Sequence, residues 1–96
     1  MTYALYIMAS KPYGTLYIGV TNSLQRRIWE HKQGIGCTFT AKHNIKTFVW
    51  FEMFDNIETA IAQEKRMKKW KRDWKINLIE RNNPHWQDLF DSIGHS

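Results

Sequence analysis

The chain has one cysteine, two prolines and, against 14 lysines and arginines, only nine acidic residues. A single thiol, Cys37, excludes an internal disulfide and with it the usual staple of small secreted domains, so a reducing, cytoplasmic setting is expected. No apolar run approaches the roughly 20 residues that cross a bilayer. The start, Met1-Thr2-Tyr3-Ala4-Leu5-Tyr6-Ile7, shows neither a basic leader nor a cleavage signature, and no membrane association is expected. The scattered His43, His85 and His95 lack the Cys/His spacing that holds zinc, and no glycine-rich loop offers a phosphate cradle. Repeats, linkers and low-complexity tracts are missing too.

Aromatic residues and positive charge are plentiful. Aromatics make up 15% of the sequence and include five tryptophans, too many for a disordered basic tail and enough to furnish the core of a 96-residue chain. The expected organisation is one domain over 1–96, with its core at about 2–80 and a tail, 81–96, packed on it. A net charge of +5 favours a polyanionic partner. Seven of the eleven positions from Lys65 to Lys75 are Lys or Arg. Lys65, Lys68, Lys69, Lys71, Arg72 and Lys75 interleave with Met67, Trp70 and Trp74, so one side can pack while the other follows phosphates without reading sequence. The plainer reading, a solvated helix face, accounts for most charge runs.

Residues 3 to 9 and 16 to 20 alternate with the period of a strand, and Lys11-Pro12-Tyr13-Gly14 between them carries turn chemistry. A hairpin closing there pairs Ser10 with Thr15, Met8 with Tyr17 and Tyr6 with Gly19. Tyr6 and Tyr17 then share one face, and Tyr3, Leu5, Ile7, Leu16, Ile18 and Val20 make the other uniformly apolar. Gly19 leaves space across from Tyr6, which predicts a pocket wall on the face away from the core. Asn22 with Gln25 predicts a capped helix of about three turns ending near Gly34, its ridge Leu24 and Ile28, with Arg27 and His31 on one flank toward the sheet. The segment 34–44 reads as a loop and 46–54 as a third strand. Asp55 with Glu58 predicts a second helix whose apolar stripe is Ile57, Ala60, Ile61 and Met67, and Glu64 falls inside that stripe. Asp73 predicts the cap of a third helix that Pro84 ends, after which Trp86, Leu89 and Phe90 fold back.

Two tyrosines in a strand are ordinarily half-buried strand formers, and Arg27 or His31 alone would be a surface helix residue. Together they allow more. A phenol whose pKa is lowered by a nearby cation can take a proton from water or position a nucleophile, and an arginine fork suits a phosphate. A carboxylate at the place of Glu64 is costly unless it pairs, with Arg27 or a lysine, or holds a hard cation such as Mg²⁺. One carboxylate is too few for a two-metal site.

Ala4-Leu5-Tyr6, Tyr17-Ile18-Gly19, Arg27, His31 and Glu64, with Gly19-Val20-Thr21-Asn22, Phe39-Thr40, Trp70-Lys71-Arg72, Asn83-Pro84, Trp86 and Asp88-Leu89, resemble the motif series of the GIY-YIG nuclease superfamily. The likeness spans nearly the whole chain and is nearest to small standalone bacterial members of the UPF0213 kind. It departs in the first motif, where Ala4 and Leu5 replace glycine and isoleucine. The resemblance implies an α+β fold, a three-stranded antiparallel sheet flanked by helices, and a divalent-metal-dependent endonuclease. It implies one Mg²⁺ (or Mn²⁺) on Glu64, Tyr6 and Tyr17 as alternative general bases or water positioners, Arg27 on the phosphate and His31 as helper. Gly19 and Asn83 enter as structural motif residues, and Asn77 or Asn83 as the downstream asparagine of the family. The implied substrate is nucleic acid, DNA ahead of RNA, with low sequence specificity. The chain is expected to be a monomer, with room for a protein partner that supplies specificity. Two rivals stand beside it: a non-catalytic nucleic-acid-binding module using the Lys65 to Lys75 patch, and an interaction domain exposing Trp86 and Phe90.

Overall fold

Three antiparallel strands, β1 (Tyr3–Ala9), β2 (Leu16–Thr21) and β3 (Thr47–Phe54), form a sheet in the order β2-β1-β3 within a computed structural model that describes residues 2–93. Five helices accompany them: α1 (Leu24–Gln33), α2 (Thr38–Lys42), α3 (Ile57–Lys69), α4 (Arg72–Asn82) and α5 (Phe90–Ile93). The α+β class read from the sequence is the one observed. His95, one of the scattered histidines, and the end of the expected tail lie outside the described residues.

The hairpin has the predicted register, Tyr6 opposite Gly19 and Met8 opposite Tyr17. Its loop closes with Ser10 N donating to Thr15 O at 3.0 Å and Gly14 N to Lys11 O at 2.9 Å. Tyr13, rather than Gly14, takes the left-handed conformation there, with φ 61°. Three contacts hold it: its hydroxyl donates to Glu80, its ring lies 5.2 Å from that of Trp86, and its carbonyl accepts from Arg72 at 2.6 Å.

Alternation along β1 sends its residues to two cores rather than to a core and a solvent face. Leu5, Ile7 and Ala9 pack with Ile18, Val49, Trp50, Met67, Ile79 and Trp86, under α3 and α4. Tyr6 and Met8 pack with Ile28, Ile45 and Phe48, joined by Tyr17, Leu24, Leu89 and Phe90, under α1 and the C-terminal segment. The tyrosine face is therefore not the face away from the core: a sheet covered on both sides buries both residue sets. Trp86 is 5% exposed and Phe90 half-buried, so the exposed patch expected of them is not there.

A β-bulge between Ile7 and Met8 pairs them with Trp50 and Phe48 and leaves Val49 as the extra residue of β3. Val49 and Trp50 can thus face one core while Phe48 and Phe51 face the other. The Val49 carbonyl accepts from Asn83 Nδ2 at 3.1 Å, the Phe48 carbonyl from Leu89 N at 2.7 Å. Asn83 also donates to Gln87 O at 2.9 Å and accepts from Gln87 N at 2.9 Å, so the turn that Pro84 imposes on α4 is locked onto β3.

The helix starts differ from expectation by one or two residues. Ser23, not Asn22, precedes α1, and Gly34 closes that helix as predicted, at φ 78°. Asn56, not Asp55, caps α3, its side chain accepting from Glu58 N and Thr59 N. Lys71, not Asp73, precedes α4, and Asp73 sits in the first turn. The expected loop over 34–44 contains α2.

Candidate active site

The two core layers divide the candidate residues. Tyr6, Tyr17 and His31 lie together on the α1 face, with ring centroids 6.3 Å apart for Tyr6 and Tyr17, 5.7 Å for Tyr6 and His31, and 5.3 Å for Tyr17 and His31. The helix flank predicted for Arg27 and His31 does face the sheet: His31 is fully buried, and Arg27 is half-buried at the rim, paired with Glu30 at 3.4 Å. The space above Gly19 is no open pocket, because the Tyr6 ring fills it. A Cβ on Gly19 would stand 2.6 Å from the Tyr6 hydroxyl oxygen, so glycine is what allows the phenol to lie across β2.

Tyr6 Oη lies 2.8 Å from His31 Nε2, His31 Nδ1 lies 3.0 Å from Thr40 Oγ1, and Thr40 Oγ1 donates to the Cys37 carbonyl at 3.1 Å. A hydroxyl has one proton and a carbonyl has none, so with His31 neutral, as its burial favours, a single assignment satisfies all three contacts. Thr40 gives its proton to Cys37 O and accepts from His31 Nδ1–H. The bare Nε2 then accepts from the Tyr6 phenol. Proton direction is thereby fixed from Tyr6 through a neutral His31 to Thr40. Gly36 lets this loop pass close to the ring, since a Cβ there would crowd His31 Nδ1 at 3.1 Å.

Electrostatics agree with this assignment. Burial, with the positive charge of Arg27 behind it, lowers His31 to about 4 from its ordinary 6.5. Burial and the neighbouring Tyr17 raise the Tyr6 pKa, and burial raises Tyr17, with Arg27 opposing in both cases. The phenols are therefore not depressed by a cation as the sequence suggested; desolvation outweighs Arg27. Tyr6 is 1% exposed and closed to solvent, whereas Tyr17 is half-buried and reaches the surface.

Because His31 binds its proton less readily in the folded chain than in the unfolded one, stability from this group is complete above about pH 6.5 and is lost as pH falls through about 4. The loss is expected to reach on the order of 3 kcal/mol. Thermal melts from pH 7.5 to 3.5 test it. The melting temperature should drop across that window, and His31→Gln should remove this component of the slope.

The helix that carries Glu64, α3, packs on the other layer, and its first residue, Ile57, lines a hollow shared with Arg27 and Glu30 of α1. The helix packs through Met67 onto the Leu5 and Ile7 face, and the Glu64 carboxylate pairs with Lys68 at 3.4 Å, its side chain 19% exposed. The stripe around it is looser than predicted, with Ala60 and Met67 buried but Ile57 and Ile61 each 37% exposed. Among the described residues no cluster of three or more His, Cys, Asp or Glu side chains surrounds a common point. One partly open carboxylate fits a largely hydrated Mg²⁺ whose remaining ligands are water and phosphate oxygens, and does not fit a cage built by protein alone.

The basic segment is not one helix. It runs through the end of α3, a break at Trp70-Lys71 and the first turn of α4. Lys68 is engaged by Glu64, Arg72 by the Tyr13 and Gly14 carbonyls, and Lys75 by the Lys68 carbonyl at 3.4 Å. Lys65, Lys69 and Lys71 are exposed.

Thr40 enters the sequence reading only within the Phe39-Thr40 pair of the family resemblance, with no role assigned to it. It is fully buried within a segment read as loop, and only the return of the chain over His31 gives it a partner.

A family model described as the GIY-YIG catalytic domain matches residues 2–77. A UPF0213 protein of Clostridium perfringens is 37% identical over 75 residues, 78% of this chain and 80% of its own length. Another from Haloquadratum walsbyi is 35% identical over 66 residues, 69% and 74% of the two lengths. The solution NMR structure of a UPF0213 protein from Bacillus halodurans superposes with a TM-score of 0.57 at 24% identity, covering 100% of both chains, a likeness of fold.

Proposed function

Since the chain belongs to the GIY-YIG catalytic-domain family, we propose that it is a divalent-metal-dependent endonuclease that hydrolyses phosphodiester bonds of nucleic acid, DNA ahead of RNA, with low sequence specificity. The observation that carries this reading is the closed set on the α1 face: the buried Tyr6–His31 hydrogen bond, with Tyr17 and Arg27 at its open rim.

In this reading Arg27 binds the scissile phosphate and the charge that develops on it, its fork matched to two oxygens. Tyr17, the phenol that reaches solvent, orients the attacking water. Tyr6 and His31 are positioning residues, since burial keeps them from substrate; their hydrogen bond holds the tyrosine pair in place. Glu64 would hold the divalent ion, which supplies Lewis-acid polarisation of the phosphate when bound. Lys65, Lys69 and Lys71 offer sequence-independent contacts to backbone phosphates.

A panel of single-stranded, double-stranded, nicked and branched substrates with Mg²⁺ or Mn²⁺ tests the proposal. At least one substrate should be cut, and Tyr17→Phe should slow cutting about 10- to 100-fold. The Glu64–Lys68 pair favours a second reading, the binding module without catalysis, which predicts salt-sensitive binding and no turnover with either ion.

A further inference from the structure

The helix α4 carries a surface stripe that the tyrosine–histidine site does not use and whose inner edge, Leu78 with Trp70 beside it, packs against the core under α3 and α4. Trp74, Asn77, Leu78 and Arg81 recur at intervals of three and four and so share one face of α4, and the exposed Lys71 stands just before its first turn. Trp74 is 56% exposed, although an indole is among the more costly surfaces to leave in water. Trp70 stands against it with ring centroids 6.2 Å apart and planes at 71°. The two indoles, Asn77, Leu78 and Arg81 line a hollow of about 270 Å³, room for one flat heterocycle. Among the described residues, no hydrogen bond or ion pair engages the side chains of Lys71, Asn77 or Arg81.

We propose that this stripe is a stacking platform for an unpaired nucleobase. The base lies on the face of Trp74 with Trp70 as a side wall, Asn77 meets its polar edge, and Lys71 and Arg81 take the phosphates on either side. Those two cations stand about 15 Å apart along the helix, a span of a few nucleotides of extended single strand. Charge complementarity selects this occupant. An apolar helix of a protein partner laid along the stripe would bury both cations without a counter-charge, whereas a single strand brings its anions at the repeat of its bases. Bases inside a duplex are already stacked on one another, so the platform engages single strands, flaps and frayed ends. The inference rests on the nuclease reading for its choice of nucleic acid, and narrows the substrate to one with unpaired bases.

Binding in EDTA, where no cutting occurs, tests it with the whole chain. The probes are labelled oligo-dT, oligo-U of equal length and a blunt hairpin duplex. Wild type should favour the single strands. Trp74→Ala should lower the ratio of single-strand to duplex affinity about ten-fold, and Trp74→Phe should restore most of that ratio. Loss from all probes alike, or no loss, overturns the platform and leaves the nuclease reading standing. Failure of wild type to bind any probe at low salt overturns both. Sedimentation showing that Trp74→Ala turns a dimer into a monomer also overturns the proposal, by assigning the indole to self-association.

Discussion

Glu64→Ala is expected to slow nucleic-acid cleavage by at least about 1,000-fold, the loss that follows from removing several kcal/mol of metal-derived charge stabilisation. Unfolding should not contribute. Position 64 is interior to α3, where alanine is the most favourable helix residue, and its side chain leaves the core formed by Ala60 and Met67 intact. What disappears is the only charge of Glu64 and its 3.4 Å pair with Lys68. The pair is half-exposed and of the i,i+4 kind, so it contributes a few tenths of a kcal/mol to stability. Glu64→Gln, which keeps shape and loses charge, should be nearly as slow. Lys68→Ala separates the two roles of the carboxylate: if Glu64 acts only as the partner of Lys68, that variant should match Glu64→Ala, whereas metal binding predicts a loss at least about ten-fold smaller. Added EDTA should abolish cutting by wild type. Calorimetry adds an independent measure, with Mg²⁺ binding weakly to the free protein because a lone carboxylate supplies one ligand of six.

Asn83→Ala should destabilise the fold by about 3 kcal/mol, enough to lower the melting temperature of a chain this size by about 12–24 °C. Asn83 is 5% exposed and uses its carboxamide three times, donating to Val49 O and Gln87 O and accepting from Gln87 N. Alanine leaves all three partners without it, and the Val49 carbonyl belongs to the residue that the bulge excludes from the ladder, where no neighbouring strand can replace the lost donor. Asn83→Asp is the stricter variant. It matches the shape, keeps the acceptor for Gln87 N, and sets a carboxylate against two carbonyl oxygens. It should be at least as damaging at pH 7 and should recover part of its stability as the pH falls toward about 4, where the carboxyl is protonated in the folded chain before it is in the unfolded one. Melting of both variants, followed by circular dichroism, decides the matter. A drop of less than about 4 °C would mean that the bulge is held by other contacts.

The legible parts of this chain were those governed by short-range rules. Period-two alternation and a Pro-containing turn gave the hairpin register residue for residue, since any slip would have mixed Leu5 and Ile7 with Tyr6 and Met8. The spacing of Arg27 and His31 placed both on the flank that meets the sheet. Less legible was the second core, because Ile45, Phe48 and Ile28 come from three separate segments and nothing local announces that they cover Tyr6. The same long-range burial reversed the expected direction for the phenols, raising their pKa although Arg27 is near. Cap positions slipped by one or two residues where neighbouring polar side chains, Asn22 and Ser23 or Asp55 and Asn56, have similar capping chemistry. The role of Thr40 stayed hidden because it depends on a loop crossing back over His31. The stripe that Glu64 was expected to interrupt is buried only at Ala60 and Met67, with Ile57 and Ile61 exposed, and the packing of α3 on the layer opposite the tyrosines needed the sheet.

The bulge on β3 also bears on the order in which the molecule is completed as it leaves the ribosome. β3 is an outer strand, and its carbonyls at Phe48 and Val49 are met by Leu89 and Asn83, which are made well after it, Asn83 34 positions beyond Val49. Until they emerge, that rim of the nascent sheet is open to pairing with a second nascent chain. Asn83 and Leu89, both past residue 77 where the family match ends, thus close that rim once they have been made.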